Sequence, residues 1–320
     1  MRGKVLLGSL AAIGMPLAVF LSGPRPSKKI DIRPINLPAD LDAYLSTSEA
    51  KLTDIIDGAD KNIRWASDEQ VQTDVSLVYF HGFSATRQEV APLCDILADS
   101  LNANVYYTRL AGHGRGDDAL GDVGINDWIH DAREALQIGR RLGRRVILIG
   151  TSTGATLSIW LTLQADTSDI LANVVLSPNF GPKDQGAAVA MWPWGVNIIR
   201  LAVGDTRSWE PANEMQERFW NTRYPVKALV PMMTLVDIVD ESDFGKIVTP
   251  TLTLYSRDDE VIRVDKIEEK FDLIGSPYKN LVRVDTSGDG SNHVLAGDIL
   301  SPNTTVPISD EILEFLKPLL

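Results

Sequence analysis

The chain has 320 residues, 44% of them hydrophobic and 23% charged, with a formal net charge of −12. That length and mix suit one sizeable α/β domain carrying an insertion, and so acidic a surface repels phosphate backbones and speaks against nucleic acid as a partner. A single cysteine, Cys94, leaves no internal disulfide, no cysteine–histidine cluster suggests a structural zinc, and no metal or organic cofactor is implied.

The first 29 residues, "MRGKVLLGSLAAIGMPLAVFLSGPRPSKK", differ in kind. They carry five basic residues and no acid, and Val5 to Leu21 run for 17 residues without a charge, near the lower limit for spanning a bilayer. Gly8, Gly14 and Pro16, and the lack of a polar face, argue against a core helix. Residues 1–30 therefore read as a membrane anchor or signal segment. Phe20 and Leu21 stand where a cleavage site calls for small residues, which favours an uncleaved anchor. The expected location is membrane-anchored or exported, on the periplasmic or extracytoplasmic side, with basic residues on both flanks leaving the orientation open. Residues 31–70 read as a proline-containing tether and an N-terminal helical extension, "DLDAYLSTSEAKLTDII".

Residues 71–320 read as one unit. From residue 75 strands and helices alternate: "VSLVYF" as a strand, "RQEVAPLCDILADSL" as a helix, "NVYYTR" as a strand, and "NDWIHDAREALQIGRRLG" as a helix with Asn126 as N-cap. Cys94 lies in an apolar-periodic segment and reads as a buried structural thiol. Next come the aliphatic strand 146–149, a helix over 155–164 and the strand "ANVVLSP". Such alternation predicts a mostly parallel sheet with helices on both faces and a site beyond the carboxyl ends of its strands. The alternation stops over about 180–245, which reads as an inserted, mainly helical cap forming an apolar roof. Four of the seven tryptophans, Trp192, Trp194, Trp209 and Trp220, fall there and are expected to build the cap's own small core, with direct lining of the substrate site as the alternative. The strands "PTLTLYS" and "NLVRVD" and a final helix, "SDEILEFLKPLL", complete the pattern.

Between the aliphatic strand and its helix lies "GTSTG", residues 150–154. A Gly-x-Ser-x-Gly pattern alone is weak evidence. On a tight strand-to-helix turn, however, it projects the Ser152 hydroxyl above the sheet edge at a helix N-terminus, where backbone N–H groups favour developing negative charge. A serine hydroxyl attacks only if a base takes its proton. His81 follows a strand, His113 sits in a glycine-rich loop, and His130 lies within a helix beside charges. His293, in "SGDGSNHVLAGD", alone follows the serine on a loop after a late strand, as a base must in the order Ser, acid, His. The acid is Asp258 or Asp259 in "TLYSRDDEVIRVD"; adjacent residues cannot both point at one imidazole.

Taken together, "HGF" at 81–83, "AGHGRG" at 111–116, "GTSTG" at 150–154, "SRDDEVI" at 256–262 and "SNHVLAGD" at 291–298 resemble the α/β-hydrolase superfamily. The branch that looks most similar holds monoacylglycerol lipases, lysophospholipases and bacterial carboxylesterases. The resemblance covers roughly residues 74–320. It implies an α/β-hydrolase fold, an acyl-enzyme on Ser152, His293 as base and Asp259 as acid. The spacing to the following valine is one residue shorter than the family's, so Asp258 stays open. It further implies that Phe83 supplies one oxyanion-hole N–H, Thr153 the other, and that His81 shapes the loop. Ala111 stands where proline or serine is familiar.

The implied substrate is a small carboxylic ester, an acylglycerol or a short- to medium-chain acyl ester. Two rivals remain: the same triad turned to amides, peptides or acyl transfer, and a non-catalytic membrane-tethered binding protein on the same fold. The oligomeric state is not legible.

Overall fold

The computed structural model describes residues 19–164 and 166–320. Seven strands form one sheet: β1 (Asn62–Arg64), β2 (Thr73–Phe80), β3 (Asn104–Tyr107), β4 (Gly143–Thr151), β5 (Ile170–Leu176), β8 (Thr251–Tyr255) and β9 (Lys279–Arg283). Their order is β1-β3-β2-β4-β5-β8-β9, and every pairing is parallel except that of the short edge strand β1 with β3.

The aliphatic runs work as strands because side chains alternate between two buried faces. Val78, Phe80, Val146, Leu148 and Val175 face α3 (Ile125–Leu142), which presents Trp128, Ile129, Ala132, Ala135 and Leu136 at helical spacing. Leu77, Tyr79, Ile147, Ile149, Val174 and Leu252 face the opposite way. There they meet Leu93, Cys94 and Leu97 of α2 (Leu93–Leu101) and Ile308, Ile312 and Phe315 of α9 (Pro302–Leu316). The helix after β4, α4 (Thr153–Thr162), is buried at every position, so it lacks the polar face of a surface helix.

Between β5 and β8 the chain leaves the sheet and forms α5 (Gly195–Val203), a two-stranded ribbon of β6 (Thr206–Ser208) and β7 (Arg223–Pro225), α6 (Glu214–Phe219) and α7 (Leu229–Asp240). Helix α7 packs on α3 and α4. The excursion reaches the loops beyond β2 and β3: Asn221 N–H donates to the Ser84 carbonyl at 2.8 Å, and Asn221 Nδ2 to that of Arg115 at 2.8 Å. It therefore lies over the carboxyl edge of the sheet. Helix α8 (Val264–Leu273) follows β8.

Local signals misplace several features. Asn126 is not the N-cap of α3; Gly124 holds that place, its N–H donating to Asp127 Oδ2 at 2.9 Å. Asn126 instead accepts the Asp31 N–H at 2.8 Å and donates to the Lys29 carbonyl at 3.2 Å. The expected helix over 87–101 is a short 3₁₀ turn, Arg87–Val90, then α2, because Pro92 cannot continue a hydrogen-bonded helix. Strand β1 is too short to leave a periodic signal.

The stretch expected to be a tether and helical extension is laid along the body. Helix α1 (Leu41–Glu49) buries Leu41 and Leu45. Lys28 pairs with Asp237 of α7 and with Glu241, its C-cap, at 3.0 and 2.6 Å, and the Arg33 carbonyl accepts from Arg133 of α3 at 2.6 Å. This strap joins the excursion to the sheet's helical layer. No helix among the described residues is long and apolar enough to cross a membrane; most of the apolar 5–21 segment lies outside the described residues.

Candidate active site

The serine turn is set by steric necessity. Ser152 caps α4 with φ 53° and ψ −117°, a region costing a non-glycine residue about 1–3 kcal/mol. Its side chain makes no capping hydrogen bond to the helix. The flanking glycines explain how the strain is held. A Cβ on Gly154 would stand 2.1 Å from the Phe80 carbonyl oxygen and 2.5 Å from that of His81, and one on Gly150 would stand 2.6 Å from the Gly154 oxygen. Backbone thus packs directly on backbone, and α4 starts against the end of β2. Thr153, the first residue of α4, has an N–H with no acceptor inside the helix.

The histidine loop is built from side-chain hydrogen bonds. His293 Nδ1–H donates to Asp259 Oδ2 at 2.7 Å. Asp259 Oδ1 accepts the N–H groups of Val261 and Ile262 at 2.8 and 3.0 Å, and the carboxyl is buried. Asp258, the neighbour left open by the sequence, is exposed. Burial pushes the His293 imidazole down, but the charge of Asp259 and its hydrogen bond, with Glu89 and Asp289 behind them, outweigh it, so the net displacement is upward.

Asp289 holds the loop itself: one oxygen accepts the N–H groups of His293 and Val294, each at 3.0 Å, and the Ser291 hydroxyl at 2.6 Å. Burial alone would raise the Asp289 carboxyl; these donors reverse that and hold it below the ordinary aspartate range. The last residue of β5 and the one after it hold the serine turn and the histidine loop. Ser152 N–H donates to the Leu176 carbonyl at 2.9 Å, and the Ser177 hydroxyl donates to the His293 carbonyl at 2.8 Å.

Phe83 follows the end of β2, with its ring edge-on to Tyr224 of the excursion at 5.2 Å and to His113 at 6.0 Å. His81 Nδ1–H donates to the Gly82 carbonyl at 2.9 Å, and its Nε2 accepts Leu110 N–H at 3.0 Å. Burial pushes it down to about 4. His113 is driven well below the ordinary histidine range by burial, with His81 beside it. The two buried rings stand 4.8 Å apart. His130, half-buried on α3, stands apart from this set.

Of the four cap tryptophans, Trp220 is buried with Ala85 and with Val294, the residue after His293, Trp209 packs against that cluster, and Trp192 and Trp194 are exposed. A single aromatic core for the excursion is therefore not what forms. A cavity of about 480 Å³ within the excursion is lined by Val189, Ile198, Ala202, Leu229 and the Asp184–Arg207 pair, and it reaches neither Ser152 nor His293. No group of metal-binding side chains occurs among the described residues.

Sequence reading missed Glu89, Asp289 and Ser177. The Asp-Gly-Ser-Asn run around Asp289 carried a turn signal. The other two are ordinary polar residues in their local context.

A parallel sheet with helices on both faces, a strained serine at the strand-to-helix turn after β4 and an Asp–His pair on the later loops define the α/β-hydrolase class. Residues 72–288 match the serine aminopeptidase, S33 family, and the chain belongs to it. It is 24% identical over 213 residues to a thermostable monoacylglycerol lipase from Bacillus sp. (strain H-257), spanning 67% of this chain and 82% of that protein. Among solved structures, one from work on two metagenome-derived lipolytic enzymes, LipS and LipT, superposes with a TM-score of 0.65 at 20% identity. It covers 82% of this chain and 99% of the other. A Paleococcus ferrophilus monoacylglycerol lipase gives 0.61 at 15%, covering 81% and 98%.

Proposed function

We propose that the protein hydrolyses carboxylic esters, acylglycerols or short- to medium-chain acyl esters, through an acyl-enzyme on Ser152. The observation that carries this reading is the buried Asp259–His293 hydrogen bond together with a strained serine turn, both tied to the end of β5 and the residue after it. With Nδ1–H committed to Asp259, Nε2 is the basic nitrogen of His293. It takes the Ser152 proton as Oγ attacks the ester carbonyl. The N–H groups of Phe83 and Thr153 hold the tetrahedral oxyanion. Collapse breaks the bond to the alcohol oxygen, which leaves with the proton from Nε2. Water, deprotonated by the same nitrogen, then attacks the acyl-enzyme; acid is released and Ser152 regains its proton. The lipolytic relatives support an ester as substrate. The second reading, an amide or peptide bond, draws on the family's description as aminopeptidases.

The test is a chain-length series of p-nitrophenyl esters run beside a monoacylglycerol and an aminoacyl amide, with fluorophosphonate labelling of the wild type and Ser152→Ala. Labelling confined to the wild type, with ester turnover, is expected. Turnover of the amide alone overturns the substrate, and equal labelling of both proteins overturns the nucleophile.

We also propose that the uncharged 5–21 segment brings the enzyme to a membrane, as anchor or export signal. Its 17 uncharged residues support this, near the lower limit for spanning a bilayer. Fractionation of the full chain against one lacking residues 1–30 tests it; equal recovery of both in the soluble fraction overturns it.

A further inference from the structure

Glu89 lies in the 3₁₀ turn that follows the Phe83 segment, and only 2% of its surface is exposed. A carboxyl buried so completely is costly unless donors satisfy it, and its donors are informative. Oε2 accepts Gly82 N–H at 2.8 Å and the Tyr79 hydroxyl at 2.9 Å. The Tyr79 oxygen stands 3.1 Å from Oγ1 of Thr151, the residue before Ser152. A Cβ on Gly82 would meet Glu89 Oε1 at 2.8 Å and Ser152 Cβ at 3.3 Å, so the carboxyl sits just behind the nucleophile turn. The Glu89 backbone also touches the base's own loop: a Cβ on Gly297 would stand 2.3 Å from its carbonyl oxygen. One residue thereby contacts the segment carrying Phe83 and the stretch after His293, and reaches the serine turn through Tyr79.

We propose that Glu89 is a positioning residue of this site. Its carboxylate pins Gly82 so that the Phe83 N–H faces the oxyanion, and its charge is a second counter-charge, with Asp259, for the His293 imidazolium. This rests on the acyl-enzyme reading above. The titratable groups facing Glu89 are Tyr79 from β2 and His293 and Asp289 from the loop before α9; those facing His293 are Asp259, Glu89 and Asp289. Burial raises the Glu89 carboxyl more than Gly82 N–H, Tyr79 and His293 lower it.

The sign follows. Removing an anion near His293 destabilises the imidazolium, so the basic form persists to lower pH. Glu89→Gln keeps the shape and an acceptor for Gly82 while removing the charge. In the full-length enzyme with p-nitrophenyl butyrate, the acidic limb of kcat/KM is expected to move down by about half to one pH unit. A fall in kcat of about tenfold is expected at little change in KM, the pattern of an interaction made only in the transition state. Tyr79→Phe, which leaves the carboxyl but strips a donor from it, is expected to move the limb the same way by less; it keeps the test open if Glu89→Gln fails to fold.

A limb at its wild-type position in the folded variants, with kcat within twofold, overturns the proposal. Fluorophosphonate labelling separates the two levels. Wild-type protein that labels at Ser152 while the Glu89→Gln limb stays put rejects Glu89 alone, whereas activity surviving in Ser152→Ala rejects the acyl-enzyme reading beneath it.

Discussion

The serine turn and the histidine loop sit at the same edge of the sheet and are held in place by different physics. Around Ser152 the determinant is steric: Gly150 and Gly154 leave no room for a side chain, and the strained backbone is locked by the carbonyls of Phe80 and His81. Around His293 the determinant is a set of side-chain hydrogen bonds from Asp289, Ser177 and Asp259, each contributed by a different stretch of chain. The first arrangement tolerates almost no substitution without moving backbone. The second can be loosened one bond at a time while the fold persists.

The sharpest way to probe the second arrangement is its acid. Asp259→Asn leaves the geometry nearly intact but offers Nδ1 the wrong partner, and is expected to cut kcat by about 10⁴. Asp258→Asn, on an exposed side chain, is expected to change stability by less than about 0.5 kcal/mol and to leave turnover at the wild-type level. Steady-state ester kinetics and melting curves decide between these. Comparable losses in the two variants would mean that the buried hydrogen bond does not define the acid.

The first arrangement breaks in stability rather than in chemistry. Gly154→Ala drives a methyl into the Phe80 carbonyl, and overpacking of this kind costs about 1–3 kcal/mol, with more expected here because backbone and not a flexible side chain must move. A lowered denaturant midpoint, together with lost fluorophosphonate labelling, is the expected result; a wild-type midpoint would show that the turn has slack.

A milder loss than that of Asp259→Asn is expected at Asp289→Ala. It strands the His293 and Val294 N–H groups, each worth about 1–3 kcal/mol if left buried and unpaired and less once water reaches them. The expected outcome is a fall in kcat/KM of about tenfold, roughly 1.4 kcal/mol, with the labelling site unchanged. A loss as deep as that of Asp259→Asn would make the loop as unforgiving as the turn and erase the contrast.

What could be read along the chain follows from this difference. Short aliphatic runs, their alternation with helical stretches and two glycines flanking a serine are local patterns, and each is imposed by backbone sterics or by burial. They sufficed for the parallel sheet, the flanking helices, the turn at 150–154 and the excursion before β8. The choice of His293 also came from chain order, since loops at the ends of late strands converge on one edge of such a sheet.

Other features depended on partners distant in sequence. Asp259 and not Asp258 faces the imidazole because the Val261 and Ile262 amides capture Oδ1 and turn the carboxyl inward. Asn126 could not be read as a contact for Asp31 and Lys29, 95 and 97 residues away, nor Glu89 as a buried group meeting Tyr79, Gly82 and Gly297. Sequence by itself determined where backbone geometry and hydrophobic faces must lie, because those constraints act over a few residues. Only the tertiary structure decided which carboxylates are buried and what they hold, because the cost of a buried charge depends on donors that folding brings together.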